Sequence, residues 1–141
     1  MSSVVDLRRL GALAEFVFMS RAAALDLAIL RPGSPCRYDL VLDTGRRLLR
    51  IQVKSTATLR AGRYSVSCFS CDSRRRYTPR QIDFLAAWIA PLNAWYIIPA
   101  RALRHRARVY FYPARRSGFT EPFREAWHLL LNRKNRKCTR S

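Results

Sequence analysis

A mixed α/β fold, with a central mixed sheet, an N-terminal helix packed on it and a C-terminal helix, is predicted by three features of the chain. These are an apolar stripe at helical spacing near the start, a period-two hairpin after it, and short β-branched and aromatic runs further on. The stripe is Leu7, Gly11, Ala14, Phe18, Ala22, Leu25 and Ile29, which recur every three or four residues and predict one helix from about residue 4 to 30. Glu15 falls at the edge of that stripe, and Gly11, four residues earlier, is expected to leave room for close approach on that side. Arg31-Pro32-Gly33-Ser34-Pro35 is expected to end the helix and form the loop into the first strand.

The hairpin spans Tyr38 to Ser55. Leu40 and Leu42 alternate on its first strand and Leu49, Ile51 and Val53 on its second, with Asp43-Thr44-Gly45 supplying the turn. A register that pairs odd positions of the first strand with even ones of the second places Asp39 on one face with Arg50, Gln52 and Lys54, the aliphatics facing the other way. One such register sets Asp39 directly opposite Gln52. Side-chain oxygens converging from neighbouring strands suit a hard divalent cation, and Lys54 points at the same spot.

A third strand is predicted over 63–69, where Tyr64, Val66 and Cys68 alternate with serines. Residues 78–90 are ambiguous. Thr78-Pro79-Arg80-Gln81 resembles a capped helix start, yet 82–89 and 94–99 make a hairpin if that cap yields a single turn, and the hairpin is the favoured reading. A strand over 109–112 and a helix from residue 121 or 122 to about 131, with Phe123, Trp127, Leu130 and Leu131 as its apolar face, complete the fold. Residues 1–132 are expected to form one domain and 133–141 a basic tail.

Lysine and arginine total 27 against nine acids, a formal net charge of +18. Such an imbalance repels itself unless a polyanion offsets it, so nucleic acid is the expected partner. No uncharged apolar run approaches a membrane span, and no lipidation signal appears, so no membrane partner is expected. Cys68 and Cys71 form a lone CxxC; with Cys36 and Cys138 they are read as reduced structural thiols, because no second pair completes a zinc site. Without a secretory signal, a cytoplasmic location is expected.

A helical glutamate, a strand aspartate and then a strand Gln-x-Lys, in that order, resemble the PD-(D/E)XK nuclease superfamily. The resemblance is carried by Gly11-Ala12-Leu13-Ala14-Glu15, Tyr38-Asp39-Leu40 and Ile51-Gln52-Val53-Lys54-Ser55. It is nearest in pattern to intron-associated homing endonucleases and Holliday-junction-resolvase-like members, with Tyr38 where the motif's name has proline and Gln52 in place of an acid. It implies a restriction-endonuclease-like core and a Mg²⁺-dependent DNA endonuclease, Mn²⁺ substituting, that acts on duplex or branched DNA. Glu15, Asp39, Gln52 and Lys54 would be catalytic, the first three as metal ligands. Candidate DNA contacts are Arg50, Ser55, Arg74, Arg75, Arg76 and Tyr77, and a homodimer or homotetramer is expected because a duplex has two strands to cut. Two other readings stay open: a catalytically inactive nuclease-fold DNA-binding protein, and a basic RNA-associated structural protein.

Overall fold

The computed structural model describes residues 4–70 and 74–131. The predicted basic tail, Cys71 and Cys138 lie outside the described residues. Helix α1 runs Val4–Ala24, shorter than the stripe suggested. Asp26 adopts a left-handed backbone, φ 59°, and the Leu27 N–H returns to the Ala22 carbonyl at 3.1 Å, a helix-terminating geometry. Residues 28–30 then leave the helix altogether as strand β1, Ala28–Leu30. Ile29 had matched the helical spacing, but its burial comes from a sheet. The 31–35 segment therefore joins β1 to the next strand instead of ending a helix.

Strands β2, Leu40–Asp43, and β3, Leu48–Thr56, form the anticipated hairpin. Its register pairs Leu40 with Ile51 and Val41 with Arg50, the odd-with-even alignment. β4 is Tyr64–Ser67, β5 Phe84–Ile89 and β6 Ala94–Pro99. A short helix α2, Ala100–Leu103, leads to β7, Arg108–Phe111. Residues 84–99 are the favoured hairpin, β5 pairing antiparallel with β6. The capping box ahead of it closes only one turn, with the Ile82 N–H donating to the Thr78 carbonyl at 3.1 Å.

The main sheet has the order β1-β2-β3-β5-β6, with β3 and β5 parallel and the other pairs antiparallel. β4 and β7 form a separate two-stranded ribbon. Strand alternation divides the interior into two layers. Leu49, Ile51, Val53, Ala86, Trp88, Trp95 and Ile97 face α1, meeting Ala14, Phe18 and Ala22. Leu85, Ala87, Tyr96 and Ile98 face the ribbon, meeting Tyr64, Val66, Val109 and Phe111. The α1 layer is keyed by aromatic rings: Phe18 lies 5.5 Å from Trp95 and 5.4 Å from Trp127. Leu7, by contrast, is 57% exposed, so the buried stripe begins one turn later than predicted.

The C-terminal helix does not form. Two short 3₁₀ turns, Glu121–Phe123 and Trp127–Leu130, stand in its place. Glu125 between them has φ 48°, which an α-helix does not tolerate. That residue is committed to the sheet edge. Its N–H donates to the Trp95 carbonyl at 2.7 Å, and its carboxylate accepts from the Trp95 N–H at 2.9 Å and from the Trp127 indole at 2.7 Å. Satisfying β6 thus wins over a continuous helix, and of the expected apolar face Trp127 and Leu130 are buried while Leu131 and Phe123 are half-buried against the two core layers.

Candidate active site

Asp39 stands one residue before β2, where its N–H donates to the Ile51 carbonyl at 2.9 Å. The paired β2–β3 register ends with Leu40 against Ile51, one residue after Asp39. The Val53 N–H donates to its carboxylate at 2.8 Å, so the side chain is held by the same strand that carries Gln52 and Lys54. Gln52 and Lys54 pair with Leu85 and Ala87 of β5 and share their face, the side of the sheet that carries the ribbon. The Lys54 ammonium donates to the Phe69 carbonyl at 3.1 Å and lies 5.6 Å over the Tyr77 ring. The Gln52 amide donates to the Val53 carbonyl at 3.3 Å.

Glu15 reaches this neighbourhood from α1. Burial pushes the Asp39 carboxyl up to about 6, and the nearby Glu15 charge adds to the rise, while the Val53 N–H, Lys54 and Arg31 oppose it. Two carboxylates therefore lean on one another in a partly desolvated place. Gly11 plays no spacing role, since a side chain at that position would meet nothing within 4 Å.

Arg31 is the residue that sequence reasoning passed over. Its guanidinium is 3.2 Å from Glu15, and with Glu15, Cys36, Tyr38 and Asp39 it lines an open cleft of about 420 Å³. No local pattern announces it; β1 carries it there, and β1 was hidden inside the helical spacing.

Three candidate DNA contacts are placed differently from expectation. Arg50 is tied to Asp83 at 3.1 Å and donates to the Pro79 and Arg80 carbonyls. Burial raises the Asp83 carboxyl, but its hydrogen bonds to Arg50 and the charge of that guanidinium outweigh this and hold it below the usual carboxylate range. Arg50 is thereby a clamp between β3 and the turn before β5. Tyr77 is buried in the ribbon layer beneath Lys54, so its ring is not presented for stacking on a base. Ser55 alternates to the side of β3 opposite Gln52 and Lys54. Arg74, Arg75 and Arg76 are exposed, and Arg76 also donates to the His105 carbonyl.

A resident divalent cation fits the donor set. Among the described residues no group of three or more His, Cys, Asp or Glu could hold a metal, so the candidates are two carboxylates and one neutral amide, all hard oxygen donors. The raised Asp39 carboxyl is what a cation between Asp39 and Glu15 would relieve.

An acid at the head of β2, a lysine on the adjoining β3 and a helical glutamate, on a mixed sheet backed by one helix, define a restriction-endonuclease-like nuclease fold. The family model for PD-(D/E)XK endonucleases matches residues 5–128, and the chain belongs to that family. Among solved structures it is similar to a bacterial homing endonuclease, I-Ssp6803I, with a TM-score of 0.78 and 26% identity over 95% of this chain and 98% of that one. It also matches Hjc, a Holliday junction resolvase from the archaeal hyperthermophile Archaeoglobus fulgidus, with a TM-score of 0.49 and 21% identity over 74% of this chain and 84% of that one. Among curated proteins none matches. Among the described residues no helix is long and apolar enough to cross a membrane.

Proposed function

We propose that this chain is a Mg²⁺-dependent DNA endonuclease, homing-endonuclease-like, that hydrolyses phosphodiester bonds at the Glu15–Asp39–Gln52–Lys54 site. The observation that carries this reading is the anchoring of Asp39 to β3 by the Val53 N–H, on the strand that also carries Gln52 and Lys54, with the Lys54 charge acting on the Asp39 carboxyl. Asp39 and Glu15 would hold the cation, with the Gln52 amide oxygen as a neutral third donor. A bound Mg²⁺ supplies Lewis acidity toward the phosphoryl group and a lowered pKa for water. With only two carboxylates, affinity for free metal is modest and substrate phosphate completes the shell.

Lys54 donates to the charge that builds on the phosphoryl oxygens or to the attacking water. Its anchors, the Phe69 carbonyl and the Tyr77 face, restrict where the ammonium can point. Arg31, in the same cleft, is positioned to meet the phosphate once Glu15 turns to the cation. One chain offers one such site, so cutting both strands of a duplex takes two copies, as a homodimer or homotetramer.

The test is incubation of the full chain with supercoiled plasmid and with a four-way DNA junction, in Mg²⁺ or EDTA. The enzyme reading expects Mg²⁺-dependent cuts that Asp39→Ala and Lys54→Ala each reduce at least ~100-fold. Binding without cutting by the parent would instead mean an inactive nuclease-fold DNA-binding protein.

A further inference from the structure

The β4–β7 ribbon has one apolar face spent on the core, and its other face is charged in one sign only. Strand pairing sets Ser65 opposite Tyr110 and Ser67 opposite Arg108, and all four point away from the buried Tyr64, Val66, Val109 and Phe111. Segments 57–70 and 101–119, which contain the two strands and their loops, hold eight arginines and no acid. A solvated surface that only kept the protein soluble would not need its cations ordered, but several of these are. The Arg63 guanidinium stacks 3.9 Å over the Tyr110 ring and donates to the Tyr112 hydroxyl at 3.2 Å. Arg108 donates to the Ser65 hydroxyl at 2.9 Å, and Arg106 stacks 3.9 Å over Phe119. A guanidinium held over a ring or bonded to a hydroxyl has restricted freedom, which lowers the ordering cost of a two-pronged contact to a base edge.

We propose that the outer face of this ribbon enters the DNA major groove and reads base sequence there, with Arg63 and Arg108 as the principal readers. The inference rests on the nuclease reading. A two-stranded β-ribbon is an element the major groove admits, and arginine paired to guanine O6 and N7 is its commonest specific contact. Charge complementarity selects the partner, because an acid-free, arginine-rich face fits a polyanion. Position ties it to the site. Phe69, whose carbonyl holds Lys54, lies two residues past the end of β4, so the ribbon starts beside that lysine and runs away from it. From Phe69 back to Arg63 is six residues, at most roughly 20 Å of strand at about 3.3 Å each. That spans about six base steps at roughly 3.4 Å, so the bases read lie within about four to six pairs of the scissile phosphate.

The experiment uses the full chain and a pool of randomised 40-base-pair duplexes, cut in Mg²⁺, with cleaved ends sequenced for the parent, Arg63→Lys, Arg63→Ala, Arg108→Ala and the distant control Arg9→Ala. The parent is expected to show a sequence preference flanking the cut. Arg63→Lys keeps the charge and loses the fork, so it should flatten one position by about 5- to 150-fold, four to six pairs away, while the salt dependence of binding stays put. Arg108→Ala should flatten a position nearer the cut, and the control should keep the parental pattern. Parental cutting with a preference that Arg63→Lys, Arg63→Ala and Arg108→Ala all retain would overturn the proposal, as would uniform weakening across all sequences, the mark of phosphate contacts. Absence of any Mg²⁺-dependent cutting by the parent would fail the nuclease reading itself, a different outcome.

Discussion

Replacing Asp39 by asparagine is expected to stabilise the metal-free protein at neutral pH, although the residue lies at the centre of the site. Its carboxyl is raised from an ordinary 3.8 to about 6 by burial and by Glu15. A raised carboxyl binds its proton more tightly folded than unfolded, so stability falls as pH climbs from about 4 to 6 and levels off above that. At about 1.36 kcal/mol per pH unit the gap amounts to roughly 3 kcal/mol. Asparagine resembles the protonated carboxyl and keeps an oxygen for the Val53 N–H, so Asp39→Asn should gain about 2 to 3 kcal/mol at pH 8 and nothing near pH 3.5. Urea denaturation in EDTA at both pH values measures this. Added Mg²⁺ should then stabilise the parent, by linkage, and leave the variant unmoved. A variant no more stable than the parent at pH 8, or equally stabilised at both pH values, would refute the desolvated-carboxylate account.

Removing the guanidinium that occupies Glu15, by Arg31→Ala, should raise Mn²⁺ affinity in calorimetry by up to about fivefold, the worth of an exposed ion pair. Asp39→Ala should abolish most of that Mn²⁺ binding, whereas Asp43→Ala should leave it intact, because Asp43 spends its carboxylate on the Gly45 N–H at 2.8 Å in the turn. Asp83→Ala should cost about 1 to 3 kcal/mol in urea melts by stranding Arg50, and the parent should lose the same contribution as acid protonates Asp83, whose carboxyl is held low. Phe18→Ala, which empties the space between Trp95 and Trp127, should cost about 3 to 5 kcal/mol by the same measurement.

The polar face of β3 was legible in the sequence because Gln52 and Lys54 lie on a strand whose period-two pattern separates them from Leu49, Ile51 and Val53. The pairing of Leu40 with Ile51 follows from alternation and a short turn, which are local properties. Glu15 was reachable only through a likeness to a known pattern, since nothing local says which side of a helix a carboxylate will use. The surroundings of Arg50 and Tyr77 were not legible for one reason: both are engaged by residues distant in sequence, Arg50 by Asp83 and Tyr77 by the ribbon core.

Chain-local periodicity and turn chemistry by themselves determined the helix core and the β2–β3 hairpin, since each depends on neighbours within about ten residues, and left residues 78–90 open between helix and strand. Where α1 stops, whether 121–131 coils as one helix, and which arginines are spent on structure were decided by the tertiary structure alone. Those outcomes turn on partners distant in sequence, such as Asp43 for Ala28, Trp95 for Glu125 and Asp83 for Arg50. Backbone groups left unpaired at a sheet edge cost more than a helical preference can return, so the edge decides, and only the assembled sheet says where its edges are.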